Sequence, residues 1–475
     1  DFAFCGGNFN TITLNDKITQ IGYRSFANCA NLTEITIPAS VKKIYELAFT
    51  DCSQLVKVDC MSRSVPTAVS VYMPAAYWGA FPTNKGLQIH IATTMYKSYS
   101  GWSNFSNYMV EKPYAWYNYN VANYSINSAQ SLYELSLLTN GDAEALAIVG
   151  ESAAVTFAEK SVKLAKDVDL STICSETHGS WLPIGNFSGT FDGNSKTISS
   201  LYSSSTSYMG LFANTSGATI KNLTVNGIVN RTNTNDDSYH YVGGVVGSAT
   251  NSIIENCISD VDITMTSSSG NAVMSSFIGG VCGYSYYSNI VACQYTGNIS
   301  YNQGEWEYTH HIGGIVGFSS NTNIIACVKP IGNVYGELTQ AYSSVGGIVG
   351  FAVESSSYHT TACYSNANVK GRIPGMIMGY CNYRQSTGNP NTSNCYYSST
   401  TTKTSQSGTV KGVGSDNYGG SWSGYDSGTA VADDVDGAVA DMNTAIDTWN
   451  TSNPTILCNY KYANVDGVIT LVAAE

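Results

Sequence analysis

Val242-Gly243-Gly244-Val245-Val246-Gly247 returns as Ile278-Gly279-Gly280-Val281-Cys282-Gly283, then as Ile312-Gly313-Gly314-Ile315-Val316-Gly317 and as Val345-Gly346-Gly347-Ile348-Val349-Gly350. Weaker copies flank them, Met209-Gly210-Leu211-Phe212 before and Gly375-Met376-Ile377-Met378-Gly379 after. The first glycines stand at 210, 243, 279, 313, 346 and 375, a period of 29 to 36 residues. A period in that range marks a repeat architecture, because one such unit cannot bury its apolar side alone and copies must stack. A trailing cysteine follows each copy from the second onward: Cys257, Cys293, Cys327, Cys363 and Cys395. Doubled glycines let strands turn corners or approach a neighbouring backbone, and the flanking Val and Ile can fill a narrow core. With coils ~4.8 Å apart, six repeats would make about 29 Å of rod.

A second, shorter period opens the chain. Ala3-Phe4-Cys5, Phe26-Ala27-Asn28-Cys29 and Phe49-Thr50-Asp51-Cys52 recur. Between them lie short alternating strands at Ile12-Thr13-Leu14, Leu32-Thr33-Glu34-Ile35-Thr36-Ile37-Pro38 and Leu55-Val56-Lys57-Val58. A further mark recurs at Ile18-Thr19-Gln20-Ile21-Gly22 and Val41-Lys42-Lys43-Ile44-Tyr45. This arrangement resembles the BspA-type leucine-rich repeat, and the segments Val71–Pro74 and Met95–Phe105 resemble the end of such arrays. The glycine units resemble the GLUG repeat over about 181–397, with Trp181–Gly185 and Phe187–Ile198 like its usual lead-in. The expected fold class is therefore mainly β: a short leucine-rich-repeat solenoid, then a right-handed parallel β-solenoid with small helical caps. The expected domains are the leucine-rich repeats at 1–112, a linker and helix-strand cap at 113–180, the GLUG solenoid at 181–397 and a C-terminal cap segment at 398–475.

Ser128 precedes a helical pattern with Leu132, Leu135 and Leu138 on one face and can cap it. After residue 397 the chain is rich in Ser, Thr and Gly. A short helix is expected around Ala438–Trp449, with Val439, Met442 and Ile446 on one face, then a strand at Val468–Leu471; this segment is read as a cap on the far end. Asp192-Gly193 between apolar residues is read as a hairpin turn.

Composition narrows the function. Only 12% of residues are charged, 34 are Tyr, and the net charge is −12. Phosphate binding needs clustered Lys and Arg, and the 22 here are scattered, so no nucleic-acid partner is expected. No run of 18 apolar residues exists, so no transmembrane segment is expected. Phe2-Ala3-Phe4-Cys5 reads as the middle of a repeat, so a leader, and any lipid anchor, is expected upstream. The thirteen cysteines are read as buried, reduced and structural.

Histidines His240 and His310 precede the first repeat glycine by three residues, with Ser276 and Ser343 at the equivalent places. His311, Asp236, Asp237, Glu305 and Glu307 lie nearby. Two coils apart is nearly ~10 Å, too far to share one small ion. They are therefore read as surface histidines without a ligand, and neither a metal nor a cofactor is expected. Asp260 and Asp262 share a strand face and Asp433-Asp434-Val435-Asp436 is an acidic run, but sequence does not place two carboxyls across a cleft. Basic residues are sparse in the repeats (Lys329, Lys370, Arg372, Arg384), so catalysis is not expected.

Aromatic side chains outside the core pattern are the best candidates for binding, since Tyr and Trp present rigid amphipathic faces. The expected ligand-binding residues are Trp116, Tyr117, Tyr284, Tyr286, Tyr287, Trp306 and Tyr308. Both resemblances imply a secreted or cell-surface bacterial protein. The leading expectation is an adhesin-like chain whose partner is a host or microbial surface protein or glycan. A β-helix polysaccharide lyase or hydrolase, and a structural stalk without ligand, are the alternatives.

Overall fold

The structure is a computed structural model. It describes residues 1–474 except 16, 39, 61–65, 72–78, 85, 92–100, 112, 205–206, 234–238, 268–274, 303–308, 338–342, 355–356, 384–391, 399–402, 406–410 and 417–428. The chain divides into two compact units, Asp1–Tyr119 and Asn120–Glu475.

In the first unit the alternating segments become a parallel sheet running Thr11–Ile12, Glu34–Ile37, Lys57–Cys60, Gln88–Ile91 and Met109–Glu111. A second parallel sheet joins Gln20–Ile21, Lys43–Tyr45 and Thr67–Val69. The recurring aromatic and cysteine have separate tasks. Phe4, Phe26, Phe49 and Phe81 stack in a column with ring centroids 5.1 to 5.2 Å apart. The Cys29 and Cys52 thiols donate across the coils to the carbonyls of Phe4 and Phe26, at 3.1 and 3.0 Å. Trp102 and Phe105 are buried at the end of the array, with the Trp102 indole donating to the Pro66 carbonyl. Tyr72-Met73-Pro74 and Met95–Ser100 fall outside the described residues.

The second unit is a parallel β-solenoid. One coil runs through Ser276–Gly279, Cys282–Tyr286, Asn289–Val291, Gln294–Tyr295 and Ile299–Asn302, each strand pairing in register with the next coil. The coil sheet already takes in Asn123–Ile126 and Ser161–Leu164, ahead of the glycine rungs, and it still includes Thr429–Val431. Ser128 caps the helix Ala129–Asn140 through the Ser131 N–H, and Gly141 ends it in the left-handed conformation. Leu132, Leu135 and Leu138 are its buried face.

The glycine triplet has a steric origin. A Cβ on Gly279 would overlap the Cys282 carbonyl, so the first glycine allows a sharp kink that folds two half-strands onto one another. A Cβ on Gly280 would overlap the Tyr295 ring, so the second glycine makes room for a large side chain across the narrow core. On Gly283 it would come 2.5 Å from the Val242 N–H of the preceding coil, so the third glycine lets the half-strands pinch together. The other end of each coil turns at Asn222, Asn256, Ala292, Ala326, Ala362 and Asn394, all with φ of 49 to 53°. From Asn256 onward each of these corners is followed by a ladder cysteine. Cys293, Cys327, Cys363 and Cys395 each donate both to a carbonyl two residues back and to one in the preceding coil, at 3.4 to 3.5 Å. All described cysteines are free thiols, and every one but Cys5 is buried.

Three expectations are corrected. Asp192-Gly193 does not turn a hairpin: it lies inside the strand Thr190–Ser203, which pairs parallel on both sides. His240 and His310 are wholly buried instead of lying on the surface. His310 Nδ1 accepts the Ser276 N–H of the preceding coil at 3.0 Å, and the His310 backbone N–H donates to the Ser343 hydroxyl of the next coil at 3.0 Å, so the residue ties its coil to both neighbours. The C-terminal helix, Val435–Ser452, caps no solenoid end. With the hairpin Tyr460–Val465 and Val468–Ala473 it lies on the flank of the coils, where Met442, Ile446, Tyr462 and Leu471 pack against Val291, Ile325 and Ala362.

Candidate functional site: an aromatic face on the glycine rungs

The kink at each glycine pair leaves two outward positions per coil. One precedes the first glycine by two residues and the other follows the third glycine. Along the half-strands His240, Val242, Cys282 and Ser285 are buried, while Tyr241 and Tyr284 stay partly exposed. In register, the first position holds Tyr208, Tyr241, Phe277 and His311, and the second holds Tyr284, Phe318, Phe351 and Tyr380. Tyr208 is exposed, Tyr241, Tyr284, Phe318 and Phe351 are partly exposed, and Phe277, His311 and Tyr380 are buried.

These rings form two adjoining columns. Tyr208 stacks on Tyr241 at 4.8 Å, and Tyr284, Phe318, Phe351 and Tyr380 stack in turn at 5.1, 5.1 and 4.8 Å. The columns meet edge to face, Tyr241 against Tyr284 at 5.7 Å and Phe277 against Phe318 at 5.1 Å. His311 joins both, 6.0 Å from Phe277 and 4.4 Å from Phe351. Burial pushes the Tyr241 and Tyr284 phenols above their ordinary value, and burial, then the neighbouring His310, pulls the His311 imidazole down to about 3. The face is therefore uncharged at neutral pH.

The expected binding residues divide. Tyr284 belongs to the face, and Tyr286, two residues on along the same strand side, is exposed. Tyr287 is exposed at a corner, with φ of 48°, where other coils hold Asn251 and Asn321. Its ring packs edge-on against Tyr286 at 4.4 Å and Tyr358 at 5.8 Å. Trp116, in the first unit, is 8% exposed, with Tyr117 half-buried beside it at 5.9 Å. Trp306, Tyr308, Glu305, Glu307, Asp236, Asp237 and Arg384 lie outside the described residues. Sequence reading missed Tyr208, Tyr241, Phe277, Phe318, Phe351 and Tyr380. The signal was available, because the residue after the third glycine is aromatic in four successive units.

The candidate acids are engaged locally. Asp260 accepts from the Thr296 hydroxyl at 2.8 Å, and Asp262 accepts from the backbone and side-chain amides of Asn298. Asp434 caps the C-terminal helix through the Gly437 N–H. Among the described residues no three His, Cys, Asp or Glu side chains converge to hold a metal ion. No helix among them is long and apolar enough to cross a membrane.

Residues 1–69 match the BspA type leucine rich repeat region, and residues 238–264 match the GLUG motif. No curated protein matches the chain. Among solved structures, one described as a putative immunoglobulin A1 protease from Bacteroides ovatus is similar at 15% identity and a TM-score of 0.40, over 74% of this chain and 92% of that one. That description overturns the expectation that catalysis is absent, although a likeness this distant carries no argument about a particular reaction here. By its repeats, the chain joins a BspA-type leucine-rich array to a parallel β-solenoid that carries the GLUG motif.

Proposed function

We propose that this chain is a secreted or surface-displayed adhesin-like protein that binds a glycan along the two aromatic columns. The supporting observation is the continuity of the face: uncharged rings that are at least partly exposed, Tyr208, Tyr241, Tyr284, Phe318 and Phe351, touch in turn and rise coil by coil beside the exposed Tyr286 and Tyr287. Aromatic rings stack well against the carbon faces of sugars, and a periodic row of them suits an extended chain more than a single compact ligand. Neutral glycans fit best, because the rings offer no ionic partner to an acidic one.

The test is a glycan array and an extracellular-matrix protein screen with the full chain and a Tyr284→Ala/Phe318→Ala variant. At ~0.5–1.5 kcal/mol per ring contact, loss of two rings should weaken binding by about fivefold to a hundredfold. Equal binding by a folded variant removes the face from the function. No binding to any glycan or protein leaves the stalk as the better account.

A further inference from the structure

A cleft of about 430 Å³ opens between the C-terminal helix and the coil corners at Thr361 and Ser393. It lies on the flank of the solenoid, on a different sheet from the aromatic face. Its lining includes His359, Thr361, Ser393, Asn394, Trp449 and Asn453, completed by Ser, Thr and Ala. Among the described residues no Asp, Glu, Lys or Arg takes part. The volume falls at the small end of the ~300–1,000 Å³ typical of small-molecule sites.

The polar groups there are only partly spent. Trp449 gives its indole N–H to the Ile456 carbonyl at 3.1 Å, so what remains to a ligand is ring carbon. Asn453 donates one amide hydrogen to the Trp449 carbonyl, which leaves its carboxamide oxygen as an acceptor. The Thr361 and Ser393 hydroxyls share one hydrogen bond at 2.9 Å. The half-buried imidazole of His359 meets no hydrogen-bonding partner among the described residues, although its backbone N–H reaches Asn323 at 3.1 Å. Burial lowers this imidazole from its ordinary value, so it offers one donor and one acceptor as a neutral ring. The ring lines the cleft half-buried, so a ligand hydroxyl can take the hydrogen bond that water makes there. A charged ligand would bring a charge that nothing in the lining pairs.

We propose that this cleft is a second binding site, for a neutral, hydroxyl-rich ligand of about one or two sugar rings. It goes beyond the glycan reading of the aromatic face and stands or falls separately from it. The test is calorimetric titration of the full chain with galactose, N-acetylglucosamine and, as a charged control, N-acetylneuraminic acid. The same neutral sugars are displayed in parallel as chain ends on an array, which separates free sugar from glycan terminus as the source. Thr448→Arg, at an exposed helix position on the cleft wall, blocks the site without touching the core, and His359→Phe removes the unpartnered ring. The expected result is binding of a neutral sugar at about 1 mM or tighter, in solution or on the array. Both variants weaken it at least tenfold, Phe318→Ala leaves it unchanged, and the acidic sugar does not bind. Absence of neutral-sugar binding in both formats, full retention in Thr448→Arg, or loss in Phe318→Ala would overturn the proposal.

Discussion

Lys329 lies wholly inside the solenoid, with Nζ donating to the Gly297 carbonyl at 2.7 Å and to the Ile331 carbonyl, 4.5 Å from the centre of the Tyr295 ring. The carbonyls and the ring face partly replace water around the ammonium. Desolvation still pushes it down to about 7, with Asp262 and Asp260 pulling the other way. In the unfolded chain the same lysine holds its proton to about 10.5. Between those values the unfolded state binds more protons, so folding stability rises with pH. The buried thiols of the same unit work in the opposite sense: Cys458 is pushed up to about 11 by burial, while an unfolded thiol ionises near ~8.5, so they cost stability above that pH. Urea midpoints should therefore climb from about pH 7 to 8.5 and turn over beyond it. The climb should vanish in Lys329→Met; an unchanged slope in that variant would mean Lys329 is not the group responsible.

At the scale of the element, the kinked glycine strand decides the architecture, and its tolerance can be measured. In Gly280→Ala the new methyl would overlap the Gly314 carbonyl and the Tyr295 ring, backbone on one side and a fully buried ring on the other. A cost above about 3 kcal/mol is expected, in the range of severe overpacking. Gly217→Ala, where φ is +68° but no atom lies within 4 Å, should cost only about 1 kcal/mol, the backbone strain alone. Similar losses at both sites in denaturant unfolding would show that conformation, not contact, sets the glycine pattern. This strand was legible in the sequence because glycine leaves a periodic mark wherever a side chain cannot fit. The Ser128 cap was legible for a related reason, since a capping hydroxyl and three spaced leucines are both local signals. The aromatic columns were overlooked because their members are 29 to 36 residues apart and Tyr241, Phe277 and His311 differ in type. Only the register of the coils makes them neighbours. Tyr287 was noticed for its ring alone; that it occupies a left-handed corner used elsewhere by Asn requires backbone geometry. The buried state of His240 and His310 was likewise invisible, since a polar residue inside a solenoid depends on which groups the adjacent coils present.

Across the second unit, stability has two sources with different reach. Among the described residues the coil strands pair with the coils next to them along the stack, so the solenoid is held by a chain of nearest-neighbour interfaces. The C-terminal helix and hairpin instead form a layer across several coils at once, anchored by Met442, Ile446 and Trp449 and by the Tyr462 hydroxyl on the Ala362 carbonyl at 2.7 Å. That layer covers apolar flank residues of three successive coils, Val291, Ile325 and Ala362, but contributes nothing to the register between them. Ile446→Asp places an unpaired charge at a position with no solvent exposure, a change large enough to detach the layer. Hydrogen exchange should then accelerate in 435–473 and dye binding should report the uncovered flank, while the glycine-rung strands keep their protection. Loss of protection throughout residues 240–380 would instead make the flank layer part of the solenoid's own folding unit, and the coils would not be self-supporting.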